Sequence, residues 1–325
     1  MTNGLHADEL RIDGDLVSRL ISSQFPQVAA LPLRRLDAFG STNVLFRLGD
    51  ELLVRLPRQP GGGAGVDKER RWVPELRPFL PVAVPEVVGF GEPGSGFGER
   101  WSIVRWLEGL RATALAADKL PSPERSMLAA DLADVILALR AIDVPDEAVS
   151  DPALRWYRGR SLAEFDEPVR RSVQQCRSLE GLDVDLDAAL GVWADALDVP
   201  GAREVGDDRW YHGDVVAENL LLSGGRLAAV LDFDGLGVGD PTVDLHGVWE
   251  LFDAPAREVF RAQLGVDEAE WLRGRAWALA RDGWCTAGSG RSFRTWTPTP
   301  GSGSRGHART ARHEKHPCLA LCRWT

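Results

Sequence analysis

The stretch from Trp210 to Leu245 reads WYHGDVVAENLLLSGGRLAAVLDFDGLGVGDPTVDL. Two short apolar runs, 220–222 and 227–231, flank Ser223-Gly224-Gly225, which is a turn signal between strands. A hairpin this short brings the residues before its first strand close to those after its second. Asn219 therefore meets Asp232 and Asp234, with Asp214 on the loop upstream. Carboxylate and amide oxygens gathered at one end of a hairpin are hard donors. They suit Mg²⁺, which takes few protein ligands and completes its shell with water and phosphate oxygens. Asn219 and Asp232 are the candidate metal ligands. Asp214 lies outside that pair and can accept a proton from a hydroxyl nucleophile.

The elements that must position these groups differ along the chain. The first hundred residues are strand-rich: 44–48 and 51–56 are β-prone runs separated by Gly49-Asp50, and 101–106 is a third run after a glycine-rich turn. A connector spans 57–65, and 66–76 has helical texture that Pro74 kinks or ends. The period then changes. Leu128, Leu132, Val135, Leu139 and Ile142 recur at helical spacing, the stripe of a helix facing a core. Residues 152–199 and 246–280 are also helical in texture, and Trp156-Tyr157-Arg158-Gly159-Arg160 is a basic-aromatic interruption.

Composition limits the partners. The 325 residues are 44% hydrophobic and 26% charged, which is globular. A net charge of −10 disfavours nucleic acid as a partner. No apolar run is long enough for a membrane span, and the first ten residues have neither a basic start nor an apolar stretch. A cytoplasmic monomer is expected, with no nucleic-acid or membrane partner. Residues 281–325 differ from the rest: eight Lys and Arg against two acids set them at +6 and leave the first 280 residues at −16. Three of the four cysteines also fall there, so Cys176 has no partner within the first 280 residues, which fits a reducing compartment.

His212-Gly213-Asp214, Asn219, Asp232-Phe233-Asp234 and Gly239-Asp240-Pro241-Thr242-Val243-Asp244 occur in order, at spacing similar to the catalytic segment of the aminoglycoside/macrolide phosphotransferase family. The resemblance covers about residues 35–280. It implies an α+β, bilobal, protein-kinase-like fold with a small β-rich N-lobe and a larger, mainly helical C-lobe. The implied divisions are 1–107 for the nucleotide-binding lobe with its hinge, 108–280 for the catalytic and substrate lobe, and 281–325 for an atypical, disordered tail. The implied activity is ATP-dependent transfer of a phosphoryl group to a small-molecule hydroxyl, with GTP as an alternative donor, Mg²⁺ as cofactor and an aminoglycoside- or macrolide-type acceptor. Asp214 takes the place of the base, and Asn219 and Asp232 those of the metal ligands.

Upstream, the resemblance puts Arg55 where relatives carry a phosphate-binding Lys, with Glu69 to orient it. Ser41 falls in the turn that covers the nucleotide, and Arg105 and Leu107 in a hinge whose backbone binds adenine. It also implies that Asp240 and Asp244 anchor the loop or cap the next helix. Glu218, Glu164, Asp166 and Glu167 would suit the ammonium groups of an aminoglycoside. Relatives continue past Trp277 with a long apolar helix, whereas this chain turns at about Ala280 to a Gly, Ser, Thr and Arg-rich texture, as a replaced terminus would. His313, His316, Cys318 and Cys322 lack the paired knuckle of a zinc site.

Two other readings compete. Arg55 and the altered terminus would also suit a catalytically impaired nucleotide-binding protein. The apolar run ending in Asp232-Phe233-Asp234-Gly235 is similar to haloacid-dehalogenase-type phosphatases, with Asp232 as nucleophile. That chemistry opens a domain and needs a later Lys, and none follows Asp234 before Lys315.

Overall fold

The computed structural model describes residues 8–36, 42–114, 121–155, 157–177 and 185–281. Its strands are β1 (Leu33–Arg35), β2 (Asn43–Leu48), β3 (Leu52–Pro57), β4 (Val87–Gly91), β5 (Trp101–Arg105), β6 (Leu110–Arg111), β7 (Arg209–Tyr211), β8 (Leu220–Ser223), β9 (Arg226–Val230) and β10 (Gly237–Gly239). Its helices are α1 (Gly14–Gln24), α2 (Gly63–Leu76), α3 (Ser122–Ala141), α4 (Asp146–Ser150), α5 (Asp166–Cys176), α6 (Leu186–Leu197), α7 (Val248–Leu251), α8 (Ala254–Leu264) and α9 (Glu268–Arg281). The chain divides into two compact units, one of residues 1–111 with 219–234, the other of 112–218 with 235–325.

In the first unit five antiparallel strands run in the order β1-β2-β3-β5-β4. Alternation in β3 assigns its two faces. Val54 and Leu56 are fully buried in a core with Leu16, Val17, Leu20 and Ile21 of α1. Arg55, between them, points to the opposite face. Helix α1 begins at Asp13, whose carboxylate accepts from Leu16 N–H at 2.8 Å and caps an end that would otherwise lack a partner. Helix α2 starts at Gly63, three residues before the sequence suggested, and retains Pro74 in its last turn. The hairpin β8-β9 joins β6 in a separate three-stranded sheet within this unit.

The second unit is helical. Helix α3 packs on α8 and α6 on α9, and the short ribbon β7-β10 pairs Tyr211 with Gly237. The stripe on α3 is the buried one: Leu128, Leu132, Val135 and Leu139 all face inward. Trp193, Tyr211 and Trp277 fill a core to which Phe165 adds an edge-on contact with Trp277, ring centroids 5.3 Å apart. Cys176 lies in the same core. Among the described residues no helix is long and apolar enough to cross a membrane. The tail beyond Arg281, with its histidines and cysteines, lies outside the described residues.

Candidate active site

The first group of candidate side chains lies in the first unit. Arg55 on β3 reaches Glu69 on α2 through two parallel bonds, Nη1 to Oε2 at 2.9 Å and Nη2 to Oε1 at 3.0 Å. Both side chains are buried, 8% and 2% exposed, so each depends on the other for its charge to be tolerated. Oε1 of Glu69 also accepts the backbone N–H of Phe233 at 3.2 Å. Burial alone would lower the pKa of Arg55, but Glu69, Asp234 and Asp232 outweigh it and hold the value above the usual guanidinium range. Arg55 is a permanent cation here.

The hairpin does what its turn predicted. Leu231 N–H donates to the Asn219 carbonyl at 2.8 Å, so Asn219 stands opposite Leu231 and next to Asp232. Asp232 has φ +61°, a left-handed conformation that Asp tolerates better than most side chains. Carboxylate oxygens of Asp232, Asp234 and Glu69 lie within 4.8 Å of one another. Lys68 donates to the backbone carbonyl of Asp234 at 2.5 Å. Three carboxylates against Arg55 and Lys68 leave an excess of one negative charge. That donor set, all oxygen and net negative, fits a hard divalent cation. Asp232 follows the second strand of a hairpin, not the first strand of a domain, which removes the basis of the phosphatase reading.

The second group lies in the second unit, on the loop His212-Gly213-Asp214. Asp244, fully buried, accepts the N–H of His212 at 2.8 Å and of Gly213 at 2.6 Å. Burial raises its carboxyl to about 6, against the opposing pull of those two N–H groups and of Arg140 and Arg158. Asp240 caps its own turn by accepting Thr242 N–H at 3.0 Å and contacts Arg273 at 3.3 Å. The His212 ring accepts Asp214 N–H at its Nδ1, 3.1 Å away, which ties it to loop geometry. Gly213 has φ +77°, and a Cβ there would stand 2.3 Å from the Gly235 carbonyl, so this position requires glycine. Gly247 is closed to a side chain as well, its Cβ position falling 1.8 Å from the Val215 carbonyl.

Asp214 Oδ1 receives Nη1 of Arg158 at 3.0 Å, and the same nitrogen donates to the Gly213 carbonyl at 2.5 Å. Sequence reasoning missed this arginine. The basic-aromatic interruption was its only trace, since nothing in the spacing ties residue 158 to residue 214.

The remaining candidates are less central. Ser41 lies outside the described residues. Arg105 is exposed, its Nε on Glu86 at 2.9 Å and its N–H on the Glu86 carbonyl, and Trp106 N–H donates to Glu51 at 2.7 Å. Leu107 follows in the loop before β6. Three of the four acids expected to suit an ammonium group are engaged locally: Glu164 pairs with Arg160, Asp166 with Arg170, and Glu167 with Arg171.

Residues 33–278 match the model of the phosphotransferase enzyme family. No curated protein matches the chain. Among solved structures, the GDP and kanamycin complex of APH(2'')-IIIa is 20% identical, with 81% of this chain and 87% of that chain covered and a TM-score of 0.62. ADP-bound aminoglycoside phosphotransferase APH(2'')-Ib is 18% identical over 84% and 91%, with a TM-score of 0.61. Apo macrolide 2'-phosphotransferase MphH from Brachybacterium faecium is 22% identical over 82% and 87%, with a TM-score of 0.57. At these identities the likeness is one of fold, α+β and kinase-like.

Proposed function

The chain belongs to the phosphotransferase enzyme family, and on that premise we propose that it moves the γ-phosphoryl group of ATP to a hydroxyl of an aminoglycoside- or macrolide-type small molecule. GTP is the alternative donor, since the solved neighbours include both GDP and ADP complexes. The observation that carries this reading is the buried Arg55–Glu69 pair whose carboxylate also takes the Phe233 N–H. One acidic side chain thereby ties a phosphate-facing cation to the aspartate loop.

Arg55 binds phosphate oxygens through the guanidinium hydrogens that Glu69 leaves. Ser41 covers the nucleotide, and adenine takes backbone groups near Arg105 and Leu107. Arg105 and Trp106 already donate their N–H groups to Glu86 and Glu51, which supports Leu107 as the hinge donor. Asn219 and Asp232 would hold Mg²⁺, with Asp234 beside them and Glu69 engaged by Arg55. A cation held there would supply charge neutralisation on the transferring phosphate. Asp214 orients the acceptor hydroxyl. As its oxygen bonds to the γ-phosphorus, the bond to the β–γ bridging oxygen breaks, the nucleoside diphosphate leaves, and the hydroxyl proton passes to Asp214. Positioning and charge supply most of the acceleration.

Thermal melts with Mg-ATP, ATP plus chelator, and Mg²⁺ alone test the donor half. At about a hundred times Kd, Mg-ATP should stabilise the protein by ~2.7 kcal/mol, and chelation should remove most of that. A melting temperature indifferent to saturating Mg-ATP and Mg-GTP contradicts the reading.

A further inference from the structure

Arg158 is a buried cation that none of the phosphate, metal or base roles uses. It sits on the turn Tyr157–Gly159, and that turn is anchored: Asp240 N–H donates to the Gly159 carbonyl at 3.0 Å, and a Cβ at Gly159 would stand 2.3 Å from the Tyr211 ring. Its Nε donates to the Tyr157 hydroxyl at 3.1 Å, while Nη1 is shared between the Gly213 carbonyl at 2.5 Å and Asp214 Oδ1 at 3.0 Å. The Arg158 side chain is 11% exposed and that of Asp214 21%, so the pair is screened far less than a surface pair.

We propose that Arg158 is a positioning residue for phosphoryl transfer, fixing the rotamer of Asp214 by gripping one carboxylate oxygen and the backbone carbonyl just before it. The proposal rests on Asp214 being the base. One nitrogen that holds residue 213 by its backbone and residue 214 by its side chain, itself steadied by the Nε bond to Tyr157, restrains the rotations that would let the carboxylate swing away from the acceptor oxygen. In a loose transition state little proton has moved when the phosphoryl group transfers, so orientation matters more than basicity. Lysine replaces this grip only in part, because its single ammonium cannot reach the loop and also keep the separate bond that Nε makes to the Tyr157 hydroxyl.

The test is a double-mutant cycle read by Mg-ATP hydrolysis, with water as acceptor, and by transfer to kanamycin as a probe. Arg158→Gln should lower kcat roughly tenfold to a hundredfold with the KM for Mg-ATP unchanged within about twofold. Arg158→Lys should fall between Arg158→Gln and wild type. In the Asp214→Asn background, Arg158→Gln should cause no further loss, since both changes remove the same oriented carboxylate. Melting curves of each variant separate folding from function. Additive losses in the double variant, or wild-type kcat in a folded Arg158→Gln, overturn the positioning role alone. Wild-type turnover in Asp214→Asn overturns the base assignment and this inference with it.

Discussion

The backbone N–H of Phe233 donates to Oε1 of Glu69 at 3.2 Å, across 164 residues of sequence. Phe233 lies between the two aspartates of the loop, and Glu69 holds Arg55 with both oxygens. A single side chain on α2 therefore sets the places of a cation and of two carboxylates. Moving α2 would move all three.

Glu69→Gln keeps an acceptor for the Phe233 N–H but leaves the Arg55 guanidinium buried beside a neutral amide. Removing one partner of a buried ion pair costs about 3–5 kcal/mol, and Asp232 and Asp234 will offset part of that cost. A loss near 3 kcal/mol in urea unfolding is expected, together with weaker Mg-ATP binding. A change below about 0.5 kcal/mol, the range of ordinary surface substitutions, would show that the pair carries no such interdependence.

Gly213→Ala places a side chain where φ is +77° and the Gly235 carbonyl is 2.3 Å away. The loop must shift, and with it Asp214. Turnover should fall about a hundredfold, the scale of a displacement near 1 Å. Gly224→Ala is the control, with φ +58° but open space around the new methyl, so it should lower stability by about 1 kcal/mol and spare turnover. Equal turnover in the two variants would contradict the placement of Asp214 by its loop.

Asp244 gives the protein a pH dependence whose sign follows from its raised carboxyl. The unfolded chain loses this proton near 3.8 and the folded chain near 6, so between those values the folded state binds more protons. Stability contributed by this group is present below pH 3.8 and is lost as pH rises through 6. The wild-type melting temperature measured against that of Asp244→Asn should therefore decline between pH 4 and 6.5 and level off above. A difference constant across that interval would rule out a raised carboxyl at this position.

Much of this arrangement is legible in the sequence where local chemistry dictates it. The turn Ser223-Gly224-Gly225 yields the hairpin, observed as Leu220–Ser223 and Arg226–Val230, and the hairpin alone puts Asn219 next to Asp232. The stripe on α3 is legible because its period is 3.6 and its buried residues are all aliphatic. The strands β1 and β4 give no such signal: the first is three residues at a sheet edge, and the second, VVGFG, has two glycines and no alternation. Arg158 is illegible for another reason. Its partners Gly213 and Asp214 are 55 and 56 residues away, joined by tertiary packing that leaves no period behind.

In the proposed function Asp214 receives the proton of a hydroxyl taking the γ-phosphoryl group. The most direct measurement is transfer of radiolabelled γ-phosphate from Mg-ATP, and in parallel Mg-GTP, to a panel of aminoglycosides and macrolides, with wild type beside Asp214→Asn. Phosphorylated product should form with wild type and fall about 10²- to 10⁴-fold in the variant, the usual contribution of a general base, with nucleotide affinity unchanged. Product formation at wild-type rate by Asp214→Asn, or a wild-type enzyme that binds Mg-nucleotide and labels nothing in the panel, would contradict the account.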